Sequence, residues 1–414
     1  VRDLLLAATA LDVTPPPGHT LDGYAARTGP ATGTADPLRV SIIWISTPDD
    51  PGVLWLTLDA IAVGKELTAE LAAAAAGVAG IPASHVVVSA SHTHSGPSGW
   101  TGQIHPVIPT EREPALYEPL LAAVSNAVLT PEPAVASWRS VEVVGVGTNR
   151  HRREGPHDNT AGVLALHSLD GSLRAVLLDF ACHPTTYGPE NLQWSADWPG
   201  AARAALEPAV VGFLQGAAGD VSPRFTRQGR GPAEVTRLGQ LLAARVLESL
   251  SEPGLELPPA APTIRRETLT LPVRPIPSAT DAAAIVRDAE RAVHGGAEEP
   301  STRIAQTRLD GARGQALMAA VDLPPELELP ISVVTFGDVC WVNLPVELFA
   351  LHGATLQDKS SHSITRVIGY TDGYFGYVVD PTAAENGVYE ALITFFDQPT
   401  TNQLIAETAA FVNG

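Results

Sequence analysis

The stretch HVVVSASHTHSGP, residues 85–97, constrains this chain more than any other. Its first half is apolar on successive residues, not on alternate ones, and a strand of that kind is covered on both faces. Strand-like and helix-like segments alternate along the rest of the chain. Val40–Ser46 and Val53–Val63 are rich in Val, Ile, Trp and Leu, with the turn TPDDPG between them. An alanine-rich helix is expected over Lys65–Val78, and others over Glu113–Leu129, Ala196–Leu206, Glu234–Leu250, Pro345–Leu356 and Leu404–Val412. Further strands are expected at Ala136–Val146, Gly162–Leu169, Leu173–Ala181, Val210–Leu214, Ile264–Val273, Ile331–Gly337 and Val339–Asn343. Ala279–Val321 is polar and rich in Ala and Arg, and reads as a helical hairpin on the surface. The alternation predicts an α/β fold with a mixed β-sheet core flanked by helices, and 414 residues suit a single large domain or two smaller ones.

Composition narrows the partners. The 414 residues carry 26 Lys and Arg against 45 Asp and Glu, a net charge of −19. Such a chain repels a phosphate backbone, so nucleic acid is not an expected partner. Two cysteines, Cys182 and Cys340, make neither a disulfide framework nor a cysteine-type zinc site. No apolar run reaches membrane-spanning length. The opening LLLAATALDVTPPPG reads as a strand and a turn, not as a signal peptide. Composition leaves the compartment open: cytoplasmic for a complete chain, secreted for one that has lost a leader.

The apolar runs share one feature: each ends in residues capable of chemistry. His92 and His94 follow the run at 86–90, and on an extended strand residues two apart share a face. His183 follows LLDFAC, Asp220 and Ser222 follow VVGFLQGAAG, and Glu347 follows VCWVNLPV at the expected start of a helix. In open α/β sheets ligands collect beyond the carboxyl ends of strands. Each residue alone has a structural reading, as a cap or a turn; all of them at one topological place do not. Two neutral imidazoles and a carboxylate are typical ligands of catalytic zinc, which lowers the pKa of a bound water to about 7. Ser222 is the competing nucleophile, but GDVSP is not a G-x-S-x-G elbow. Asp197 and Asp220 either orient the histidines or serve as a helix cap and a turn. His85, His105, His151 and His157 read as surface histidines. Trp100, Trp194 and Trp198 read as core, with an apolar pocket wall as the alternative.

The motifs SHTHSGP, FACHPT, SADWPG, QGAAGDVSP and LPVELF, in that order, resemble the neutral (non-lysosomal) ceramidase family, and ALDVTPPPGHTLDGYAAR is similar to the family's start. The resemblance covers nearly the whole of residues 1–414 as a catalytic domain, with 279–321 as a helical insert and no C-terminal immunoglobulin-like domain. It implies one Zn2+ held by His92, His183, Glu347 and Tyr377, with His94, Tyr389 and Arg150 contacting the substrate; spacing alone leaves His94 open as a second ligand. Tyr377 is chosen over Tyr370 and Tyr374 by the family's order, although VVDPTAAENG departs from the family's pattern there. The expected function is zinc-dependent hydrolysis of linear amides in ceramide-like or smaller N-acyl substrates, with zinc, His94 and Tyr389 stabilising the oxyanion. The alternatives are a zinc esterase or lactonase on the same site, and a non-catalytic, metal-stabilised binding module. The expected partner is a small-molecule or lipid N-acyl compound.

Overall fold

Residues on alternate sides of the first long strands go to two different cores. In a computed structural model that describes residues 4–100, 112–294 and 301–414, Ile42, Leu54, Leu56, Val86 and Val88 pack under helices Lys65–Ala79 and Pro114–Ser125. Their neighbours Ile43, Ile45, Val53, Trp55 and Val87 face the other way and meet Val334, Phe336, Val339 and Trp341 of a second sheet. Both faces are therefore apolar, as the unbroken runs require.

Among the described residues, nine strands form the larger sheet. Its order is Val210–Gln215, Leu173–Phe180, Thr160–Ser168, Glu132–Glu142, Leu5–Asp12, Arg39–Thr47, Asp50–Leu58 and Val86–Ala90, with Leu255–Glu256 also paired to Glu132–Glu142. The first two strands in that order are parallel to each other, as are the last two, and the remaining pairs are antiparallel. The smaller sheet runs Thr263–Pro272, Glu326–Phe336, Val339–Asn343 and Ile364–Ile368, its last pair parallel. Trp341 joins the two sheets, edge-on to Trp55 at 6.0 Å and to Trp138 at 5.4 Å. Helices Asp197–Ala205 and Pro232–Leu250 cover the Leu173–Phe180 end, and Gln398–Asn413 covers the smaller sheet.

The expected mixed sheet with flanking helices is present, and it is layered: a second sheet covers a face for which the sequence alone indicated only helices. A strand buried on both sides reads the same under either cover. Leu5–Asp12 is a strand, as read. The expected helix at Pro345–Leu356 is corrected: Glu347–Leu348 is a short strand parallel to Tyr377–Val378, and the helix begins only at Ala350. Partner strands thirty residues away override the local helical pattern. Within 279–321 two helices form, Ala279–His294 and Ser301–Met318, and the second approaches the helix Tyr389–Ile393 through Gly311 and Gly314. Isolated bridges Ser89 to Thr371 and Gly216 to Ile368 tie the segment after Ile364–Ile368 to both parallel pairs. The loops after these strands therefore converge.

Candidate active site

His92 is not on a strand. Val86–Ala90 ends two residues earlier, and His92 has φ 65°, a left-handed conformation that costs a non-glycine residue free energy. This corrects the strand-period account of the two histidines: a backbone kink, not alternation, brings their rings together. His92 Nδ1 donates to the Ile61 carbonyl at 2.6 Å. His183 Nδ1 donates to the Ala218 carbonyl at 2.6 Å, with that of Val221 at 3.1 Å. His94 Nδ1 donates to the Gly23 carbonyl at 2.9 Å. A carbonyl only accepts, so each Nδ1 carries a proton and each ring turns its Nε2 away from that carbonyl.

Those Nε2 atoms face one another. His94 Nε2 lies 3.4 Å from His92 Nε2. Glu347 Oε2 lies 3.2 Å from His92 Nε2 and 3.1 Å from His183 Nε2. His183 Nε2 is buried without a hydrogen-bond partner. Burial, with Arg150 and His92 nearby, lowers the His183 imidazole to about 4. Burial and the other two histidines hold His94 well below its ordinary value. Three imidazole Nε2 atoms and a carboxylate thus share one small buried space. Such a donor set can hold a cation. His92, His94 and His183 offer ligand atoms within 4.8 Å of one another.

Glu347 arrives through its ladder. It is the register partner of Tyr377, and its N–H donates to the Gly376 carbonyl at 2.9 Å. The Tyr374 hydroxyl donates to Glu347 Oε1, and the Tyr370 hydroxyl donates to Oε2 at 3.3 Å. The glycine- and tyrosine-rich loop is therefore more than aromatic packing, because two of its hydroxyls hold the carboxylate. Tyr377, beside Glu347 in the ladder, receives a long hydrogen bond at 3.4 Å from Arg150 Nη2. Its ring lies 6.3 Å from that of Tyr389. Arg150 in turn is held by Glu390, a residue the sequence reading missed because a glutamate in VYEAL looks like a solvent-facing helix residue. Glu390 is 2% exposed and also accepts from His151 Nε2 at 3.3 Å. His151 is exposed overall, as expected, yet its ring reaches this buried carboxylate. Burial opposes the charge of Arg150, and Glu390 and Tyr377 outweigh it.

A crystal structure of neutral ceramidase from Pseudomonas aeruginosa matches 99% of this chain and 74% of its own with a TM-score of 0.77, at 17% identity. The fold is that of a neutral ceramidase. A second solved structure, a ceramidase complexed with C2, matches 100% of this chain and 74% of its own at TM-score 0.75 and 16% identity. No family model and no curated protein sequence matches the chain.

Within this ceramidase fold the two aspartates do not touch the histidines. Asp197 accepts from the Thr186, Tyr187 and Trp198 N–H groups, fixing the turn beyond His183. Asp220 accepts from Asn149 Nδ2 at 2.6 Å and from Ala350 N at 2.8 Å, and its carbonyl accepts from Arg150 N at 2.7 Å. Burial raises its carboxyl to about 6. It joins the Arg150 segment to the helix that follows Glu347. Backbone carbonyls orient the imidazoles instead. Ser222 caps a short 3-10 turn by accepting from Arg224 N, a structural role. Trp100, Trp194 and Trp198 are fully buried core residues. His85 and His157 bind the backbone carbonyls of Gly52 and Gly155. Cys182 and Cys340 are buried and free. His105 lies outside the described residues. No helix among the described residues is long and apolar enough to cross a membrane.

Proposed function

We propose that the chain is a zinc-dependent hydrolase of linear amides in N-acyl substrates, ceramide-like or smaller, and a member of the neutral ceramidase family. One observation carries the proposal: the Nε2 atoms of three imidazoles and the Glu347 carboxylate converge on one small buried space. The nitrogen-and-oxygen donor set fits zinc. His92, His183 and Glu347 would hold the ion, with Tyr377 beside Glu347 in the ladder as the fourth ligand. When bound there, zinc supplies Lewis acidity and acidifies a water near neutral pH.

The residues around it divide by proton. The Gly23 carbonyl fixes the His94 tautomer, so Nε2 accepts a proton and, in the resting site, does not donate to an oxyanion. Burial raises the Tyr389 phenol, so it stays protonated at working pH and is a donor. Arg150 stays charged and is the second donor. A substrate carbonyl placed between these donors and His94 meets hydrogen-bond donors on one side and a proton acceptor on the other, the requirement for amide attack. The proton that His94 would take from the attacking water then becomes available to the amine that leaves as the C–N bond breaks.

The test is hydrolysis of N-acyl amines of graded chain length and of the matching esters, with chelator and with zinc restored, alongside elemental analysis. Amide cleavage that is lost on chelation and regained with zinc, at about one zinc per chain, is the expected result. Ester cleavage without amide cleavage assigns an esterase. Tightly held metal without any turnover assigns a binding module.

A further inference from the structure

The Arg150 half of the site is built around a buried carboxylate that no motif marks. Glu390 Oε1 accepts from Arg150 Nε at 2.8 Å, from Arg150 Nη2, and from His151 Nε2 at 3.3 Å. Its side chain is 3% exposed, against 17% for Arg150. Arg150 Nη2 is also the atom that reaches the Tyr377 hydroxyl, and the guanidinium carbon lies 5.7 Å from the Tyr377 ring centre. Glu390 follows Tyr389 in the short helix Tyr389–Ile393. One carboxylate thus holds the Arg150–His151 turn against the Tyr389 helix, and Arg150 carries the contact on to the Tyr377 strand.

We infer that Glu390 is a positioning residue: it fixes the guanidinium of Arg150 so that its remaining donors face the substrate carbonyl, in register with Tyr377 and Tyr389. A long Arg side chain has many rotamers. The two-point grip on Nε and Nη2 leaves the guanidinium plane one orientation and leaves Nη1 outside the pair. Charge supports the geometry, because Arg150 and His151 hold the Glu390 carboxyl down to about 2 against burial. Glu390 is therefore ionised whenever the enzyme works, and the grip is charge-assisted. A purely structural ion pair needs no neighbouring tyrosines. This one places its cation against Tyr377, whose ladder partner is Glu347.

The inference rests on the reading of Arg150 as a substrate contact, so its test has two arms. The first is kinetic: kcat and KM on a short-chain N-acyl amine for wild type, Arg150→Ala, Glu390→Ala, Glu390→Gln and the double Ala variant, with zinc content measured in each. Glu390→Ala should lose on the order of 10²-fold in kcat/KM, the effect of about 1 Å of misplacement, with zinc content unchanged. Glu390→Gln, which keeps an acceptor oxygen, should recover part of the loss. With Arg150 already removed, removal of Glu390 should cost nothing more. Additive losses overturn the inference. The second arm is the crystal structure of Glu390→Ala: a guanidinium displaced from Tyr377 supports it, and one in its wild-type place overturns it. If wild type cleaves nothing in the panel, the hydrolase reading falls, and the crystallographic arm still decides whether Glu390 holds Arg150.

Discussion

Substituting Gly23 by Ala should disable the proposed site from behind His94 without touching the proposed metal ligands. Gly23 has φ 101°, and a Cβ built on it would lie 2.5 Å from His94 Cβ and 2.6 Å from Cγ and Nδ1. Those atoms are the root of a ring, not the far end of a flexible chain. Tyr24 packs against the ring at 5.0 Å and Arg27 Nη2 donates to the His94 carbonyl at 2.9 Å, so the ring gives way only by leaving its place beside Gly23. The turn cannot retreat, since Asp22 N donates to the Gly96 carbonyl at 2.9 Å. The left-handed backbone costs an alanine about 1–2 kcal/mol. Displacing the ring breaks the bond to the Gly23 carbonyl, about 1 kcal/mol more. The sum, about 2–3 kcal/mol, lowers Tm by roughly 3 °C in a chain of this length. Relieving the overlap moves Nε2 by about 1 Å, and such a shift costs about 10²-fold in rate. The assay is kcat/KM on an N-acyl amine, with zinc content and a thermal melt on the same preparation. A Gly23→Ala enzyme with wild-type activity would refute the argument. So would one that loses its zinc, because the ring would then be a ligand and not a proton acceptor.

Three other outcomes follow from the same geometry. His183→Ala should lose both metal and activity, whereas His94→Ala should keep metal and lose activity; equal metal loss in elemental analysis would show that both bind the ion. Tyr374→Phe removes a donor from Glu347 Oε1 and should weaken zinc retention about tenfold under competing chelator, with the fold intact by circular dichroism; unchanged retention would make that hydroxyl incidental. Asp22 is half-buried, its Oδ2 is buried with no hydrogen-bond partner, and desolvation raises its carboxyl to about 7 against the opposing charge of Arg27. Its folded pKa lies above the unfolded value, so its contribution to stability is full below about pH 4 and is lost as pH rises through 7. Asp22→Asn should therefore match wild type in Tm at pH 4 and exceed it at pH 8, and a parallel offset at both pH values would contradict the assignment.

Much of this protein could be read from residue order alone. Unbroken apolar runs indicated strands covered on both faces, because a side chain on either side of such a strand must leave water. The polar residues that end those runs marked the site, because a buried strand that stops at an imidazole or a carboxylate has to satisfy it. His92, His183 and Glu347 were legible for that reason. Only tertiary structure decided the rest. The second sheet was invisible because a doubly buried strand has the same sequence under a helix or a sheet. Glu347 moved from helix to strand because its partner, Tyr377, lies thirty residues on. The kink at His92 and the bonds from Tyr370 and Tyr374 to Glu347 depend on backbone torsions and long-range contacts that no periodicity encodes. Glu390 became a buried anchor only when Arg150 and His151 folded against it. The groups that set the three imidazole tautomers are the carbonyls of Ile61, Ala218 and Gly23. Every residue carries a carbonyl, so nothing in the side-chain sequence distinguishes these three; the folded backbone alone selects them.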